Sequence, residues 1–310
     1  MLCRCSRIRV GRDHSVDLSP VQFGIPAAIP PLMVARVSVV TGAAQGIGRA
    51  CSVRLAPSVD VVVVVDRDEE ALARAADALQ ATGRIVVALP MDVTDRAALH
   101  LLASQVDELG SLEVLAHLAG VGPDTGDWRR VFDVNLVASA LLIEALTPLV
   151  GKGTAAVCCS SIAAHMGVSH GDAMVDSALD DPLHPLFLDR VRAAAGPEIE
   201  DSGVAYGWAK RGVQRLVRRT SVAWGSLGAR ICSISPGIIN TQMGRGQADH
   251  PTVQKLLDLS PIPRMGEPEE VAALVGVLCS PDASYVTGCD LLVDGGMCAA
   301  IEAMSAGRAP

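Results

Sequence analysis

The sequence Thr41-Gly42-Ala43-Ala44-Gln45-Gly46-Ile47-Gly48 is a glycine-rich turn between an apolar run, Val37–Val40, and a helix-like segment, Ile47–Ala56. Glycines in such a turn let the backbone bend sharply and approach a pyrophosphate without a Cβ in the way. The amino terminus of the following helix offers free N–H groups and the positive end of its dipole. The turn therefore predicts a dinucleotide site that includes Gly42, Gln45, Gly46, Ile47 and Gly48.

An acidic residue follows the second apolar run. Asp66 comes directly after Val61–Val65, where a carboxylate can accept hydrogen bonds from the adenosine ribose and repel a 2′-phosphate. Gln45 adds no positive charge to the glycine-rich turn. We therefore predict NAD as the cofactor rather than NADP. Arg67 is the one neighbour that can pair with a 2′-phosphate, although an exposed surface position is the simpler interpretation of it.

Short apolar runs alternate with longer helical patterns along the rest of the chain. Runs without polar alternation, separated by helices, indicate a parallel sheet covered on both faces. The expected fold class is α/β, a doubly wound parallel sheet of the Rossmann type in a single domain. The predicted strands are Val37–Val40, Val61–Val65, Ile85–Met91, Leu112–Leu118, Ala155–Cys159, Arg230–Ile234 and Leu291–Val293, and the predicted helices are Ile47–Ala56, Glu69–Thr82, Ala97–Leu109, Trp128–Leu149, Gly203–Trp224 and Pro268–Leu278.

The first 32 residues differ from the rest, with four arginines, four prolines and no helical or strand period. A signal peptide needs an apolar stretch after its basic start, and this segment has none. We expect residues 1–32 to be a disordered extension; a transit peptide and a mis-set start just before Met33 are the alternatives. The catalytic domain is expected over residues 33–310.

Composition excludes several classes of protein. The formal net charge is −8, without a basic block after the first dozen residues, so we expect no nucleic-acid partner. No charge-free apolar run approaches the roughly 18 residues of a membrane span, so we expect no membrane partner. The nine cysteines indicate reduced thiols in a cytoplasmic protein. Cys3 and Cys5 have no second pair at ligand spacing, so no metal site is expected.

A tyrosine and a lysine stand four residues apart on one predicted helix. Tyr206 and Lys210 therefore share a face of that helix. With two tyrosines and three lysines in the chain, chance would supply such a pair only about 0.02 times. A free phenol is barely ionised at neutral pH, whereas a nearby ammonium and the positive ring of a bound nicotinamide both stabilise the phenolate. The pair predicts an acid/base group that acts after the cofactor has bound.

Several further motifs occur in a fixed order along the chain. They are Thr41-Gly42-x-x-x-Gly46-Ile47-Gly48, Asp92-Val93, Ala119-Gly120, Asn135, Ser160-Ser161, Tyr206-x-x-x-Lys210, and Pro236-Gly237 with Thr241. Taken together, the sequence resembles the short-chain dehydrogenase/reductase family over residues 35 to about 297. The set is far more specific than any one of its motifs.

The resemblance implies a role for each matching residue. Ser161 orients the substrate oxygen, Tyr206 transfers the proton, and Lys210 assists the tyrosine and holds the nicotinamide ribose. Asn135 supports a water that relays protons to Lys210. Ser160 is a rival to Ser161, and the register of the motif favours the second serine. The implied cofactor site comprises Gly42, Gln45, Gly46, Ile47, Gly48, Asp66, Arg67, Asp92, Val93, Ala119, Gly120, Tyr206, Lys210, Pro236, Gly237, Ile239 and Thr241.

The sequence departs from the family pattern at two places. His117 stands where most members have asparagine, and we expect a packed structural histidine there. Residues 168–202 form an acidic insertion between Ser161 and Tyr206, which resembles the bacterial 3α-hydroxysteroid dehydrogenase/carbonyl reductase subgroup. Its acidic residues are expected on a solvated face, and the segment can either wall the substrate site or block a subunit contact. A short helix with an apolar face is predicted from Leu183, Leu186, Phe187, Leu188 and Val191.

These observations predict an NAD(H)-dependent enzyme that interconverts a secondary alcohol and a ketone, with oxidation as the favoured direction. The expected substrate is apolar, steroid-like or alicyclic, and the loop at residues 242–247 is expected to close over it. A catalytically silent NAD-binding regulatory or scaffold protein is the alternative, but such a protein should have lost part of its proton-transfer set. The segment Gly288–Gly296 resembles the family's last strand, which predicts a homo-oligomer, either dimer or tetramer.

Overall fold

The computed structural model describes residues 34–166, 172–247 and 250–306. Its centre is a sheet of seven parallel strands in the order β3-β2-β1-β4-β5-β6-β7. The chain leaves β1 in one direction to build β2 and β3 and returns to β4 on its other side, so the strand order reverses between β1 and β4. The strands are β1 Arg36–Thr41, β2 Val61–Asp66, β3 Ile85–Pro90, β4 Ser111–His117, β5 Ala155–Cys159, β6 Arg230–Pro236 and β7 Asp290–Val293.

Helices cover both faces of the sheet, which confirms the doubly wound α/β prediction. Alternate valines of β2 point into two separate cores, Val61, Val63 and Val65 into one and Val62 and Val64 into the other. The helices are α1 Gly46–Leu55, α2 Glu69–Gln80, α3 Arg96–Leu109, α4 Trp128–Phe132, α5 Ala138–Leu146, α6 Ala173–Leu179, α7 Phe187–Ala195, α8 Ser202–Ser226, α9 Gln242–Gln247, α10 Pro251–Leu259, α11 Pro268–Cys279 and α12 Met297–Ser305. The first core is completed by α3 to α8, and the second by α1, α2 and α11.

The helix predicted over Trp128–Leu149 is present but is not uniform. A π-helical segment, Asp133–Val137, separates α4 from α5, and a 3₁₀ turn, Thr147–Leu149, ends the run. By length and composition this helix could cross a membrane, and it is the one such helix in the part of the chain that the structure describes. However, 72% of its most apolar stretch is buried inside the protein, as in a core helix.

From residue 172 onward, the insertion forms two helices, α6 and α7, followed by a 3₁₀ turn at Pro197–Glu200. The predicted apolar helix is α7, whose Phe187 and Val191 are buried, whereas Leu186 is exposed. The expectation of a solvated acidic face is wrong for two residues of the insertion. Asp176 and Asp180 form ion pairs with Arg211, Arg215 and Arg219, which lie along α8.

The structure bears on the prediction of reduced thiols but not on the predicted N-terminal extension. The predicted extension, residues 1–32, lies outside the described residues, as do Cys3 and Cys5. The seven cysteines within the described ranges are all free. Burial raises the pKa of the Cys158 thiol to about 12, so this side chain behaves as an inert packing group.

Candidate active site

A large cavity of about 1520 Å³ opens where the strands end. It extends along the carboxyl ends of β1 to β6, on both sides of the point where the strand order reverses. Open α/β sheets bind their ligands at this kind of edge. Asn135 is buried behind the cavity, but all the other predicted site residues line it: Gly42, Gln45, Gly46, Ile47, Gly48, Asp66, Arg67, Asp92, Val93, Ala119, Gly120, Ser161, Tyr206, Lys210, Pro236, Gly237, Ile239 and Thr241.

The glycine-rich turn joins β1 to α1 at one end of this cavity. Gly42 has a φ of 67°, and a Cβ there would lie 2.8 Å from the Ala119 nitrogen. A Cβ on Gly48 would lie 2.0 Å from the Gly42 carbonyl oxygen, so the turn can close only with glycine at both positions. Gln45 gives no side-chain hydrogen bond to the first turn of α1, whose residues line the cavity. This uncapped helix terminus fits the phosphates of a dinucleotide.

Asp66 and Asp92 lie at the end of the cavity expected to hold adenosine. The Asp66 carboxylate accepts hydrogen bonds from the backbone nitrogens of Ala44 and Asp68, both at 3.1 Å, which fixes it beside the glycine-rich turn. Asp92 accepts from Thr94 and pairs with Arg130 at 3.1 Å. Burial alone would raise the pKa of Asp92, but the hydrogen bonds from Thr94 and Arg130 outweigh it and lower that pKa.

The predicted acid/base pair lies on the first half of α8. The Lys210 ammonium is buried and donates to the Cys159 carbonyl oxygen at 2.9 Å. It also lies 5.7 Å from the centre of the Tyr206 ring. The carbonyl at the end of β5 thus fixes the ammonium next to the tyrosine. This geometry suits stabilisation of a phenolate that forms during proton transfer.

The structure separates the two rival serines. Ser160 donates its hydroxyl to the Lys210 carbonyl oxygen at 2.9 Å, which ties β5 to α8. Ser161 accepts from the Ala163 nitrogen at 3.2 Å and caps a 3₁₀ turn, Ile162–Ala164. Because Ser161 acts as an acceptor in that bond, its own proton can be donated to a substrate oxygen. The geometry favours Ser161, in agreement with the prediction from motif register.

Asn135 braces the loop after β4 from the π-helical segment. Its side-chain amide donates to the Val121 carbonyl oxygen and accepts from the Val121 nitrogen, both at 3.1 Å. A Cβ on Gly120 would lie 2.8 Å from the Asn135 Oδ1 and 3.4 Å from the Lys210 Nζ. Asn135, Gly120 and Lys210 are therefore neighbours. The proton relay through Asn135 stays a prediction, since both ends of its amide already bind the backbone.

His117 is the centre of a buried hydrogen-bond chain. Its Nδ1 lies 2.7 Å from the Thr41 hydroxyl and its Nε2 lies 2.9 Å from the Ser139 hydroxyl. Ser139 donates to the Asn135 carbonyl oxygen, so the histidine must carry its proton on Nε2 and accept from Thr41 on Nδ1. Thr41 in turn accepts from the Ala119 nitrogen. Burial, with a further contribution from the Lys210 charge, lowers the pKa of His117 to about 3, so the ring is neutral.

Sequence reasoning missed several residues at this site. Thr41 and Ser139 complete the histidine chain, and Arg130 holds Asp92, yet each of these contacts joins residues more than 20 positions apart. Of these three residues only Thr41 stands in a motif, as the first residue of the glycine-rich turn, and the motif predicted no contact for its side chain. Among the described residues, no group of three or more His, Cys, Asp or Glu side chains is placed to hold a metal ion.

Comparison with known proteins gives two family matches, one on each side of residues 174–191. Residues 36–173 match a family described as short chain dehydrogenase, and residues 192–298 match one described as enoyl-(acyl carrier protein) reductase. The chain is also 31% identical to cis-4-hydroxycyclohexanecarboxylate dehydrogenase of Sinomonas cyclohexanicum, over 84% of this chain and 96% of the relative. The chain belongs to the short-chain dehydrogenase/reductase family. It is therefore of the oxidoreductase type that uses a nicotinamide cofactor on alcohol or ketone substrates.

Other members of the family show how varied its substrates are. Galactitol 2-dehydrogenase of Cereibacter sphaeroides is 29% identical, over 83% of this chain and 92% of the relative. A solved 7α-hydroxysteroid dehydrogenase, in complex with NADH and 7-oxo glycochenodeoxycholic acid, superposes with a TM-score of 0.69. It is 26% identical, over 84% of this chain and 93% of that one.

Proposed function

We propose that this short-chain dehydrogenase interconverts a secondary alcohol and its ketone with NAD(H), on an apolar substrate of alicyclic or steroid-like shape. One observation carries the proposal. Tyr206, Lys210 and Ser161 line the same cavity as the glycine-rich turn and Asp66, so one ligand-sized space includes both the proton-transfer set and the dinucleotide site. A catalytically silent NAD-binding protein would not need the complete proton-transfer set of Asn135, Ser161, Tyr206 and Lys210.

The chain's own residues provide binding and proton transfer. Gly46, Ile47 and Gly48 would hold the pyrophosphate, and Asp66 the adenosine ribose. A nicotinamide held in this site would accept or supply the hydride. Ser161 donates a hydrogen bond to the substrate oxygen. Tyr206 takes the hydroxyl proton during oxidation and returns it during reduction, while the Lys210 ammonium stabilises the phenolate that this transfer creates.

An apolar substrate fits the half of the cavity next to Tyr206. This half is lined by large apolar side chains from four different segments of the chain, so a flat hydrocarbon ring could contact them from several sides. Relatives that act on a cyclohexane carboxylate and on a steroid support the same class, whereas the galactitol relative acts on a polyol. The side chains are Ile162, Met166, Val204, Trp208, Met243, Val253 and Leu256.

The assignment of the tyrosine is tested by Tyr206→Phe. Loss of the hydroxyl should lower kcat/KM for alcohol oxidation by a factor of about 10² to 10⁴, because proton transfer loses its acceptor. Stopped-flow production of NADH from a panel of steroid, terpenoid and simple cyclic secondary alcohols provides the measurement. NADH binding to the variant serves as the control for folding. Equal turnover by wild type and variant would show that the assignment is wrong.

The preference for NAD rests on the fixed position of Asp66, whose carboxylate would repel a 2′-phosphate. We expect Asp66→Ala to weaken NAD+ binding about tenfold, since a good charge-assisted hydrogen bond contributes about 1.5 kcal/mol or more. The preference for NAD+ over NADP+ should also become smaller, because the repulsion of the 2′-phosphate is removed. Titration calorimetry with both nucleotides measures this. Arg67→Ala is the matched variant: loss of NADP+ binding there would mean that Arg67 pairs with the 2′-phosphate. An unchanged preference in Asp66→Ala would remove Asp66 from the argument.

Three further features belong to the proposal. We propose a cytoplasmic location, because buried reduced thiols suit a reducing compartment. Alcohol oxidation is the proposed direction. A homo-oligomer is proposed because β7 is one of the two edge strands of the sheet and its residues Asp290–Val293 are only half-buried.

A further inference from the structure

The insertion contributes part of the wall of the substrate cavity. Glu198 in its 3₁₀ turn and Asp201 just before α8 both line the cavity, together with Asp124 from the loop after β4. The Ser202 hydroxyl donates to the Pro123 carbonyl oxygen and so ties the end of the insertion to that loop. One side of the mouth of the cavity is therefore built from two segments that each carry carboxylates.

Asp124 lines the cavity close to Met243 of α9. A Cβ on Gly122 would lie 2.5 Å from the Asp124 Oδ1 and 3.3 Å from the Met243 Sδ. The carboxylate and the thioether thus lie against the same glycine, one from the loop after β4 and the other from α9. A substrate that passes Met243 to reach Tyr206 passes near this negative charge.

The charges at the mouth are not balanced. Asp201 is engaged as the helix cap of α8, where it accepts from Gly203 and Val204. In contrast, neither Asp124 nor Glu198 forms an ion pair with any residue in the described part of the chain. Among the described residues, three Lys or Arg side chains line the cavity, and they lie elsewhere: Arg67 and Arg130 at the adenosine end, and Lys210 beneath Tyr206. His250 also lines the mouth.

We propose that Asp124 and Glu198 set the charge selectivity of the site, which accepts neutral and cationic secondary alcohols and disfavours those with a carboxylate. This inference rests on the proposed function and narrows its substrate class. It separates this chain from two similar proteins with acidic ligands, the cis-4-hydroxycyclohexanecarboxylate dehydrogenase and the 7α-hydroxysteroid dehydrogenase solved with 7-oxo glycochenodeoxycholic acid.

The size of the effect follows from Coulomb's law. A unit charge about 8 Å from a substrate charge, through an effective dielectric of about 40 to 80, changes affinity about two- to sixfold. Two carboxylates should therefore disfavour an anionic substrate by about tenfold at low salt. Both side chains are exposed, so raising the salt to about 0.5 M should remove most of the difference, because the screening length then falls well below the size of the site.

The test uses three 4-substituted cyclohexanols of similar size: the anionic cis-4-hydroxycyclohexanecarboxylate, its neutral and near-isosteric carboxamide, and the cationic cis-4-(aminomethyl)cyclohexanol. We expect kcat/KM for the carboxylate to be about tenfold lower than for the carboxamide in low salt, and the amine to equal or exceed the carboxamide. A carboxylate that turns over as well as the carboxamide overturns the proposal.

Variants then assign the effect to the two residues. Glu198→Gln combined with Asp124→Asn should reduce the carboxamide-to-carboxylate ratio to about two or below. Asp189→Asn is the matched control, because it removes an exposed charge of α7 that does not line the cavity, and it should leave the ratio unchanged. A ratio that is unchanged in the double variant, or that falls equally in the control, contradicts the proposal.

A binding measurement separates this inference from the proposed function. If no cyclohexanol is turned over, the proposed substrate class fails. Charge selectivity is then read from quenching of NADH fluorescence when each of the three molecules binds the protein–NADH complex. Weaker binding of the carboxylate supports the proposal. Equal binding of all three, or detectable binding of none, overturns it.

Discussion

His117 shows how one substituted residue can be accommodated by its neighbours. The ring bridges Thr41 at the end of β1 and Ser139 on α5, and Thr41 passes the chain on to the backbone after β4. Each donor in this series of hydrogen bonds meets one acceptor, so the polar side-chain atoms of Thr41, His117 and Ser139 all have a partner. The histidine thereby aligns the loop that carries Ala119 and Gly120 at the cofactor site.

The neutral state of His117 predicts a pH dependence of stability. Its folded pKa, about 3, lies below the ordinary value of 6.5, so the unfolded chain binds a proton between these values and the folded chain does not. The free energy of unfolding should therefore fall as the pH drops below about 6.5, by up to about 1.4 kcal/mol per pH unit from this group.

The variant His117→Asn isolates this contribution. It should be less stable than wild type by about 1–3 kcal/mol at pH 7.5, because part of the hydrogen-bond chain is lost. The difference should shrink at pH 4.5, where only the wild type bears the penalty of a neutral histidine. Urea denaturation at both pH values measures it, and equal differences at the two would contradict a buried neutral ring.

At the residue scale, local patterns in the sequence predicted residues that line one cavity, whereas they did not predict the tertiary contacts among them. The glycine-rich turn and the Tyr206–Lys210 pair were predictable because each lies within one turn or one helix. The pairing of Asp92 with Arg130, and the meeting of Asp124 and Glu198 at one cavity, depend on packing between distant segments. No spacing in the sequence encodes these contacts.

At the scale of elements, the insertion is held by charge as well as by apolar packing. Asp176 binds Arg211 through two hydrogen bonds of 2.7 and 2.8 Å, and Arg215 lies 3.0 Å from the same carboxylate. Phe187 of α7 also packs edge-on against Phe132, with ring centres 5.7 Å apart. These contacts place α6 and α7 against α8 and α4.

Asp176→Asn should loosen this docking. The hydrogen bonds from Arg211 and the charges of Arg211 and Arg215 lower the pKa of Asp176, against the opposing effect of burial. The ion pairs of Asp176 therefore stabilise the folded protein at a pH above the ordinary carboxyl pKa of 3.8, and this stabilisation is lost as the pH falls through the lowered pKa. We expect the variant to lose about 1–3 kcal/mol at pH 7, and less below pH 4.

Chemical denaturation provides the measurement, and a second pair in the insertion provides the control. Asp181 pairs with Arg190 at 3.1 Å, but both side chains are well exposed. Asp181→Asn should therefore cost less than about 1 kcal/mol. If the two variants were equally stable, the ion pairs of α8 would not hold the insertion.

Element prediction succeeded where the sequence pattern is continuous. The valine-rich strands were located to within about two residues, because a strand buried on both faces needs an unbroken apolar run. The helices α6, α9, α10 and α12 were not predicted. For α9 the reason is physical: Gly244 and Gly246 both disfavour a helix, so the sequence predicted a loop there. The structure has a short helix instead, and contacts such as the hydrogen bond from the Gly244 nitrogen to the Thr241 hydroxyl support it.

At the scale of the whole molecule, the sheet has one open edge of special interest. The last strand, β7, has only four residues, and the side chain of Tyr285 just before it is fully exposed. Exposed edges and aromatic side chains favour association with another copy. We expect light scattering to give a mass of two or four times the chain's 32.1 kDa. A monomer at micromolar concentration would contradict the proposed homo-oligomer.

Helix α8 links chemistry to architecture in a way that limits how this protein can be shortened. It carries Tyr206 and Lys210 toward its start, and then Arg211, Arg215 and Arg219, whose counter-charges come from α6 and the residue after it. Excising the insertion to make a minimal enzyme would leave these three arginines without their carboxylate partners, on the same helix as Tyr206. Polyanions would then bind the exposed guanidinium groups, so a shortened design must also replace the arginines.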